Sequence, residues 1–228
     1  MPQLRVCSSV MGTRPAPLAT DSAVWCGDVA FRRRHDGGYT LAASAGSRFD
    51  IVPDALQYFS LFAPARRLNR GEVRLRFGAA FFRALATPKR WKPDAVTPFE
   101  RTRVLDPAPD RALLARALRD ARALLPQFAQ LEMAESWAGM IDVMPDSLPV
   151  VSAIDGLDGF YLATGFSGHG FGMGPATGLL MAELITKGAA RVDLAPFRFS
   201  RFLDGTPMEP FKPRSVIPGT WGRAHRTA

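Results

Sequence analysis

The sequence has few residues of the types that usually bind metals or form disulfides. Two cysteines, Cys7 and Cys26, and three histidines occur among 228 residues. The cysteine spacing matches no metal or redox motif, so two reduced thiols are expected. The histidines, at positions 35, 169 and 225, are scattered along the chain. We therefore expect no metal site.

Long apolar runs are also missing. No stretch of 18 or more apolar residues occurs, so the sequence predicts no transmembrane segment. The N-terminal stretch MPQLRVCSSVMGTRPAPLA has no continuous apolar region of the kind that secretory signals contain, which favours a cytoplasmic location. An apolar content of 47% and a charged content of 22% are typical of a folded protein.

Lysine is scarce, so the basic character of the chain comes mainly from arginine. The sequence has 29 Lys and Arg against 21 Asp and Glu, a net charge of +8, and its one run of three basic residues is Arg32 to Arg34. Nucleic-acid surfaces cluster basic residues more strongly. We interpret the excess as a compositional bias and expect no nucleic-acid partner, although a basic nucleic-acid-binding module stays open as an alternative. Acidic substrates and cofactor phosphates also fit an arginine excess.

The first half of the chain shows strand patterns. A strand is expected within Gln3–Met11, and Val29–Arg33 and Tyr39–Ala43 flank the turn sequence HDGG, which is typical of a hairpin. The stretch Glu72–Phe77 alternates with period two, which predicts a strand with one solvated face.

Helices and connectors separate these strands from the second half. Asp50–Phe62 and Asp110–Leu125 have apolar residues at helical spacing. Thr87–Pro109 contains five prolines and is expected to be a connector with little regular structure. The proline-rich end of the chain from Asp204 onwards is expected to be loose.

Strand patterns return from Leu131 and lead to a glycine-rich stretch. Strands are expected in LEMAESWAGMIDV, in Leu148–Ser152 and in Phe160–Ala163, the last of them buried on both faces. Thr164–Gly174 is expected to be a loop, with Pro175 as the first residue of a helix. Gly188 is expected to end that helix in a left-handed conformation.

A strand, a glycine loop and a helix start together present free N–H groups to an electron-rich ligand. The glycines at 168, 170, 172 and 174 alternate, so they do not form the dinucleotide-binding pattern G-x-G-x-x-G. From spacing alone, tight helix packing and a ligand edge are both open. A serine nucleophile at Ser167 is not favoured, because G-x-S-x-G requires glycine where His169 stands.

Three stretches together resemble one known family. WAGMIDVMPDSLPVVS, DGFYLATGFSGHGFGMGPATGLLMAELI and DLAPFRFSRF are similar to the C-terminal part of the FAD-dependent D-amino-acid oxidase superfamily, which includes glycine oxidase, sarcosine oxidase and D-amino-acid dehydrogenase. The resemblance implies an α+β fold. We expect a mixed, largely antiparallel substrate-domain sheet with flanking helices, plus a C-terminal strand–glycine loop–helix unit that returns to a FAD-binding domain absent from the chain.

The resemblance also implies the chemistry. Such enzymes oxidise the C–N bond of an amino acid or of a secondary or tertiary amine by hydride transfer to the flavin of FAD. In the family, the glycine segment lies along the isoalloxazine ring. The implied cofactor-binding residues are Gly165, Phe166, Ser167, Gly168, His169, Gly170, Phe171, Gly172, Met173 and Gly174. His169 and Trp137 are implied as substrate-pocket candidates, and no catalytic residue is assigned.

The sequence departs from the family pattern at two positions near this segment. Many relatives have an arginine for the substrate carboxylate where Ile141 stands, which puts that contact in doubt. Sarcosine-oxidase-like members have a lysine where Gly172 stands.

The family's N-terminal G-x-G-x-x-G is also absent from the sequence. We therefore expect residues 1–136 to form a substrate-binding domain, residues 137–203 the C-terminal part of the FAD-binding region, and residues 204–228 a loose tail. A small amine or amino acid is the expected substrate, and the missing FAD-binding half is expected on another chain or in a longer reading frame. A non-catalytic remnant or subunit that needs a second chain is the alternative.

Overall fold

The structure, a computed structural model, describes residues 1–68, 71 and 73–210. Within these ranges the strands are β1 (Leu4–Thr13), β2 (Val24–Cys26), β3 (Val29–Arg33), β4 (Tyr39–Ala43), β5 (Ser47–Asp50), β6 (Val73–Arg76), β7 (Met133–Val143), β8 (Val150–Ala153) and β9 (Tyr161–Thr164). The α-helices of the same ranges are α1 (Pro53–Gln57), α2 (Phe59–Leu68), α3 (Ala79–Ala86), α4 (Pro98–Arg101), α5 (Arg111–Leu124) and α6 (Gly170–Lys187). Short 3-10 helices lie at Pro126–Phe128, Ala195–Phe197 and Phe199–Phe202.

The strands β1 to β7 form one sheet around the long strand β1. One edge of β1 pairs with β4 and then with β5, and its other edge pairs with β7 along nearly its whole length. The neighbouring strands are antiparallel except β5 and β6, which are parallel. The predicted α+β class with a mixed, largely antiparallel sheet is therefore confirmed.

The helix α5 covers one face of this sheet. Asp110 caps the helix by accepting a hydrogen bond from the backbone N–H of Leu113 at 2.9 Å. The apolar stripe of α5 then packs on the sheet and builds the main core. That core contains Met11, Val29, Phe31, Tyr39, Leu41, Leu114, Ala117, Ala121, Phe128 and Leu131.

The opposite face of the sheet, which we call the outer face, is more open. Side chains alternate between the two faces of a strand, so Trp137, Gly139 and Ile141 of β7 point to the same side. Their cross-strand neighbours on β1 are Val10, Ser8 and Val6, which also point there. None of these residues is buried, whereas Cys7 and Met11 on the α5 side are.

The strands β8 and β9 form a separate antiparallel pair that packs against α6. The 3-10 turn near Phe199 lies on the same pair, because the Phe199 N–H donates to Ser152 Oγ at 3.0 Å. This second unit carries the glycine segment.

Several predicted elements are confirmed, with shifted ends. The hairpin has the predicted strands, with Val29 opposite Ala43 and Arg33 opposite Tyr39, and the predicted strand at the N-terminus is β1. Gly188 ends α6 at a φ of +75°, as expected for a left-handed cap.

Other predictions from the first half need correction. The single helix expected over Asp50–Phe62 is two helices, α1 and α2, and Asp50 itself ends β5. The connector Thr87–Pro109 contains one short helix, α4, which a capping box between Thr97 and Glu100 stabilises.

The strand β9 differs in burial from the expectation. Its residues are half-buried or exposed, and Phe160 just before it is exposed, so the strand is not buried on both faces by the described part of the chain. The predicted loose tail falls largely on residues 211–228, which lie outside the described residues. Among the described helices, none is long and apolar enough to cross a membrane.

Candidate functional site

The turn that follows β7 is fixed by its own hydrogen bonds. The Ser147 N–H donates to the Met144 carbonyl at 3.2 Å, and the Leu148 N–H donates to Asp146 Oδ1 at 3.1 Å. Ser147 has a φ of +61°, a left-handed conformation that a tight turn requires. The turn MPDSLP therefore has a defined shape at the end of the long strand.

A buried ion pair connects this turn to the C-terminal 3-10 helix. Arg201 Nε donates to Asp146 Oδ2 at 2.8 Å, and the two residues are 2% and 5% exposed. Arg201 also donates to the carbonyls of Leu148 and Arg198, both at 2.9 Å. Its guanidinium lies 4.1 Å from the centre of the Phe202 ring. Two of the motifs that carry the family resemblance are thus joined directly.

The glycine segment begins with a tight turn held against the same region. Gly165, Ser167 and Gly168 have φ values of +77°, +50° and +88°. Ser167 Oγ accepts a hydrogen bond from the Met144 N–H at 3.0 Å. A Cβ atom at position 165 would lie 2.6 Å from Met144 Sδ, so glycine is required there for space as well as for conformation.

The helix α6 begins earlier than predicted. It starts at Gly170, directly after the turn, with His169 at the N-cap, and Pro175 is its sixth residue. The expectation of a loop as far as Gly174 is therefore wrong. Glycine has a low helix propensity, but tertiary packing outweighs propensity when a helix packs on a sheet, as α6 does on β8 and β9.

The start of α6 presents open backbone. The His169 side chain makes no capping hydrogen bond. Added Cβ atoms at Gly172 and Gly174 would meet nothing within 4 Å, and the Phe171 side chain is fully exposed. The first-turn N–H groups of a helix have no partner within the helix, so this end carries a positive dipole and free donors.

The tight turn at the start of the glycine segment contacts the outer face of the sheet at Ile141. A Cβ atom at Gly168 would lie 3.6 Å from Ile141 Cγ2. Gly139, the next residue of β7 on the outer face, has open space around its Cα. The start of α6 therefore adjoins the outer face of the sheet and forms a corner with it.

The structure brings the predicted cofactor segment together but separates the two pocket candidates. His169 is exposed at the start of α6. Trp137, which is 39% exposed, is four residues from Ile141 along β7, roughly 13 Å at 3.3 Å per residue. Trp137 therefore lines the outer face at a distance from the turn.

Two aromatic residues near the glycine segment are exposed. They are Phe160, which the sequence predicts in a strand buried on both faces, and Phe171 at the start of α6.

Two features of the site have only weak signals in the sequence. The sequence indicates Ser167 as a cofactor contact and not as a structural residue, yet its hydroxyl anchors the turn to Met144. Asp146 and Arg201 lie in two different motifs of the family resemblance. Their opposite charges are the signal in the sequence that could have predicted the ion pair.

Comparison with known proteins agrees with this geometry. Residues 40–184 match the family model described as DAO, FAD dependent oxidoreductase. The chain belongs to this family. The match covers more than half of the chain and runs from the hairpin strand β4 to α6.

Individual members resemble smaller parts of the chain. FAD-dependent oxidoreductase domain-containing protein 1 of Bos taurus is 40% identical over 83 residues, which are 36% of this chain and 17% of the relative. Sarcosine oxidase subunit beta of Rhizobium meliloti (strain 1021) is 32% identical over 84 residues, 37% of this chain and 20% of the relative.

A solved relative covers more. L-amino acid deaminase from Proteus vulgaris has a TM-score of 0.81 at 25% identity, and the match covers 88% of this chain and 46% of that one. The chain thus spans less than half the length of this solved relative.

The residues at the start of α6 fit the family's cofactor. FAD has a flat ring system with an electron-rich end, and such a ring requires backbone that no side chain shields. The open positions at Gly172 and Gly174 and the uncapped helix start meet both requirements.

Proposed function

We propose that this chain forms the substrate-side part of an oxidoreductase that oxidises the C–N bond of an amino acid or of a secondary or tertiary amine. The observation that carries the proposal is the open glycine backbone at the start of α6, which adjoins the outer face of the sheet. The relatives named sarcosine oxidase subunit beta and L-amino acid deaminase support this class of substrate.

In this proposal, residues 1–136 bind the substrate, residues 137–203 complete the FAD-binding region, and residues 204–228 are a tail. The strand β7 crosses the boundary between the first two parts. Its pairing with β1 and the hydrogen bond from Met144 to Ser167 support this arrangement, because they couple the sheet to the glycine segment.

The proposed cofactor contacts are the ten residues of the glycine segment. Bound FAD would accept a hydride equivalent from the carbon that carries the amine. The positive end of α6 favours negative charge on a group that lies against it. The glycine positions allow a flat ring to approach the backbone, and the anchored turn before them holds that backbone in place. These residues are Gly165, Phe166, Ser167, Gly168, His169, Gly170, Phe171, Gly172, Met173 and Gly174.

The substrate is proposed to lie on the outer face of the sheet. Within the described residues, the side chains that β1 and β7 direct to this face beside Gly168 are uncharged: Val6, Ser8 and Ile141. In this proposal, residues other than these three bind a substrate carboxylate. The uncharged surface is also compatible with a substrate that has no carboxylate. His169 at the edge and Trp137 on the wall are the proposed pocket contacts.

A second candidate function is a subunit that is not catalytic without another chain. The helix α6 has exposed apolar side chains in addition to those that pack on the sheet, namely Phe171, Leu179 and Ile185. A helix that is apolar all round is normally buried. The likeness to a protein named as a subunit supports this alternative.

Flavin titration of the purified chain tests the proposed cofactor contacts. We expect FAD and riboflavin to bind with similar affinities and ADP not to compete, because the proposed contacts are to the ring system alone. The readouts are flavin fluorescence and visible absorbance. Competition by ADP would contradict the proposed contacts. A colourless chain that binds neither flavin would instead favour the subunit that requires a second chain.

Anaerobic reduction of the bound flavin tests the reaction. We expect at least one of glycine, sarcosine, D-alanine and L-alanine to bleach the visible absorbance. If dithionite reduces the bound flavin but none of these amines does, the result would contradict amine oxidation by this chain.

A further inference from the structure

The positive charge of the chain is concentrated in one segment. Residues 56–105, which we call the basic segment, contain eleven Lys and Arg against three Asp and Glu. Their net charge is +8, and the rest of the chain contains eighteen residues of each sign. The whole excess charge of the protein therefore lies in less than a quarter of its length.

The basic segment exposes large apolar side chains. None of its described residues is buried. Five of its aromatic side chains are between 43% and 73% exposed: Phe59, Phe77, Phe82, Trp91 and Phe99. Exposed apolar side chains mark an interaction site where they group together, as the following contacts show for two sets of these rings.

The exposed rings form two groups next to cations. Phe77, Phe81 and Phe82 lie with ring centres 5.1 to 5.9 Å apart, and Arg83 follows them on α3. These rings pack on one another at the surface instead of entering the core beneath α5.

Trp91 and Phe99 form the second group, with ring centres 5.8 Å apart. Trp91 stands within the sequence Lys89-Arg90-Trp91-Lys92. Lys89 Nζ binds Asp54 of α1 at 2.8 Å, and α1 contacts α3. The two aromatic groups are therefore connected through α1.

The combination of chemistries distinguishes the partner. Amphipathic aromatic rings and apolar side chains insert at the boundary between lipid headgroups and acyl chains, and Lys and Arg beside them bind anionic headgroups. Nucleic acid would use the cations and stacking rings but has no use for exposed aliphatic residues such as Leu85. Nine of the eleven cations are arginine, which protein interfaces also favour, so self-association is one of the outcomes that the experiments below distinguish.

We propose that the described residues of the basic segment, 56–68, 71 and 73–105, form a docking surface for an anionic lipid membrane. The aromatic side chains enter the interfacial layer, and exposed cations beside them, Arg90 and Lys92 among them, bind lipid phosphates.

Vesicle binding by the full chain tests the proposal. Co-sedimentation is measured with phosphatidylcholine vesicles and with phosphatidylcholine vesicles that contain phosphatidylglycerol, at low and at high salt. We expect binding to the anionic vesicles at low salt, weaker binding at high salt, and little binding to neutral vesicles. Equal binding to both vesicle types, or binding to neither, would overturn the proposal.

Paired variants locate the surface. Arg90→Ala combined with Lys92→Ala is expected to lower the partition coefficient roughly 25-fold, at about fivefold per cation near an anionic surface. Arg32→Ala combined with Arg119→Ala removes two exposed cations outside the basic segment and is expected to change it less than about twofold. An equal loss in both double variants would contradict a defined docking surface.

Tryptophan fluorescence gives an independent readout. Wild-type emission is expected to shift to shorter wavelength on anionic vesicles, and Trp91→Phe is expected to lose that shift. Trp25→Phe removes a tryptophan that is more exposed but lies outside the segment, and it is expected to keep the shift. Circular dichroism checks that each variant is folded. Two results would overturn the proposal if the chain does not bind vesicles. Salt-sensitive DNA binding would assign the segment to nucleic acid, and self-association that Trp91→Phe abolishes would assign it to a second copy of the chain.

Discussion

Arg201 and Asp146 form an ion pair almost completely removed from solvent, although 55 residues separate them in the chain. Removing two charges from water is costly, and the pair is tolerated because further hydrogen bonds satisfy both groups. Arg201 donates to two backbone carbonyls, and Asp146 accepts from the Leu148 N–H. The pair fixes the turn after β7 against the C-terminal 3-10 helix, and so helps to fix the region against which the glycine segment packs.

Removing one partner is expected to be costly because it leaves an uncompensated buried charge. We expect Arg201→Met to lower the free energy of unfolding by about 3–5 kcal/mol, measured by urea denaturation. The double variant with Asp146→Leu is expected to recover a large part of that loss. Arg198→Met provides the control, because its ion pair with Asp204 is partly exposed and such pairs contribute about 0–1 kcal/mol. Equal losses in Arg201→Met and Arg198→Met would contradict the structural role of the buried pair.

Gly165 and Gly188 allow the effect of crowding to be separated from that of conformation. Both residues have φ values near +76°, but an added Cβ meets Met144 at Gly165 and nothing at Gly188. We expect Gly188→Ala to cost about 1–2 kcal/mol of unfolding free energy from conformation alone. Gly165→Ala is expected to cost about 1–3 kcal/mol more, because Met144 is buried and overpacking adds to the loss. Equal losses in the two variants, measured by the same denaturation, would show that Met144 moves aside freely.

The parts of the fold that were predictable have long periodic patterns. The stripe of α5 and the alternation of β1 and β7 continue for ten residues or more, so burial of one face dominates their structure. The short strand β5 and the helix α3 were not predicted. Their patterns are too short to be distinguished from connecting loop. The alternation in Val73–Arg76 predicted β6 correctly but not its burial, since Leu75 is exposed.

The candidate site was predictable in position but not in detail. The glycines indicated a ligand edge near residues 165–174, whereas the start of α6 at Gly170 depends on packing against β8 and β9, which no local pattern encodes. The anchoring of Ser167 by Met144 is likewise a contact between residues 23 apart. Such contacts follow from the tertiary arrangement of strand and turn.

Glu183 makes part of the stability depend on pH. Its carboxylate accepts hydrogen bonds from the Arg191 side chain at 2.6 and 2.9 Å and from the Arg191 N–H at 3.0 Å, and these bonds lower the pKa of Glu183 to about 2. The folded protein therefore favours the ionised form, so this contribution is complete above the ordinary pKa of about 4.5 and is lost as the pH falls towards 2.

We expect Glu183→Gln to reduce the slope of unfolding free energy against pH between these limits, measured by denaturation at a series of pH values. Arg191→Ala is expected to reduce the slope in the same way, because it removes the donors. An unchanged slope in both variants would contradict the assignment of the low pKa to this contact.

Gly174 tests whether a ligand approaches the start of α6. Leucine at this position meets no atom of the chain within 4 Å of its Cβ, and it is a better helix former than glycine by about 1 kcal/mol. We therefore expect Gly174→Leu to keep or raise the free energy of unfolding while it lowers flavin affinity at least about tenfold, because the side chain occupies the space of the ring. Gly178→Leu is the matched control on the same helix, also in open space, and is expected to keep the flavin affinity of the wild type. The readouts are urea denaturation and flavin fluorescence titration of the same preparations. Undiminished flavin affinity in Gly174→Leu would contradict the proposed approach of a flat ring to this backbone.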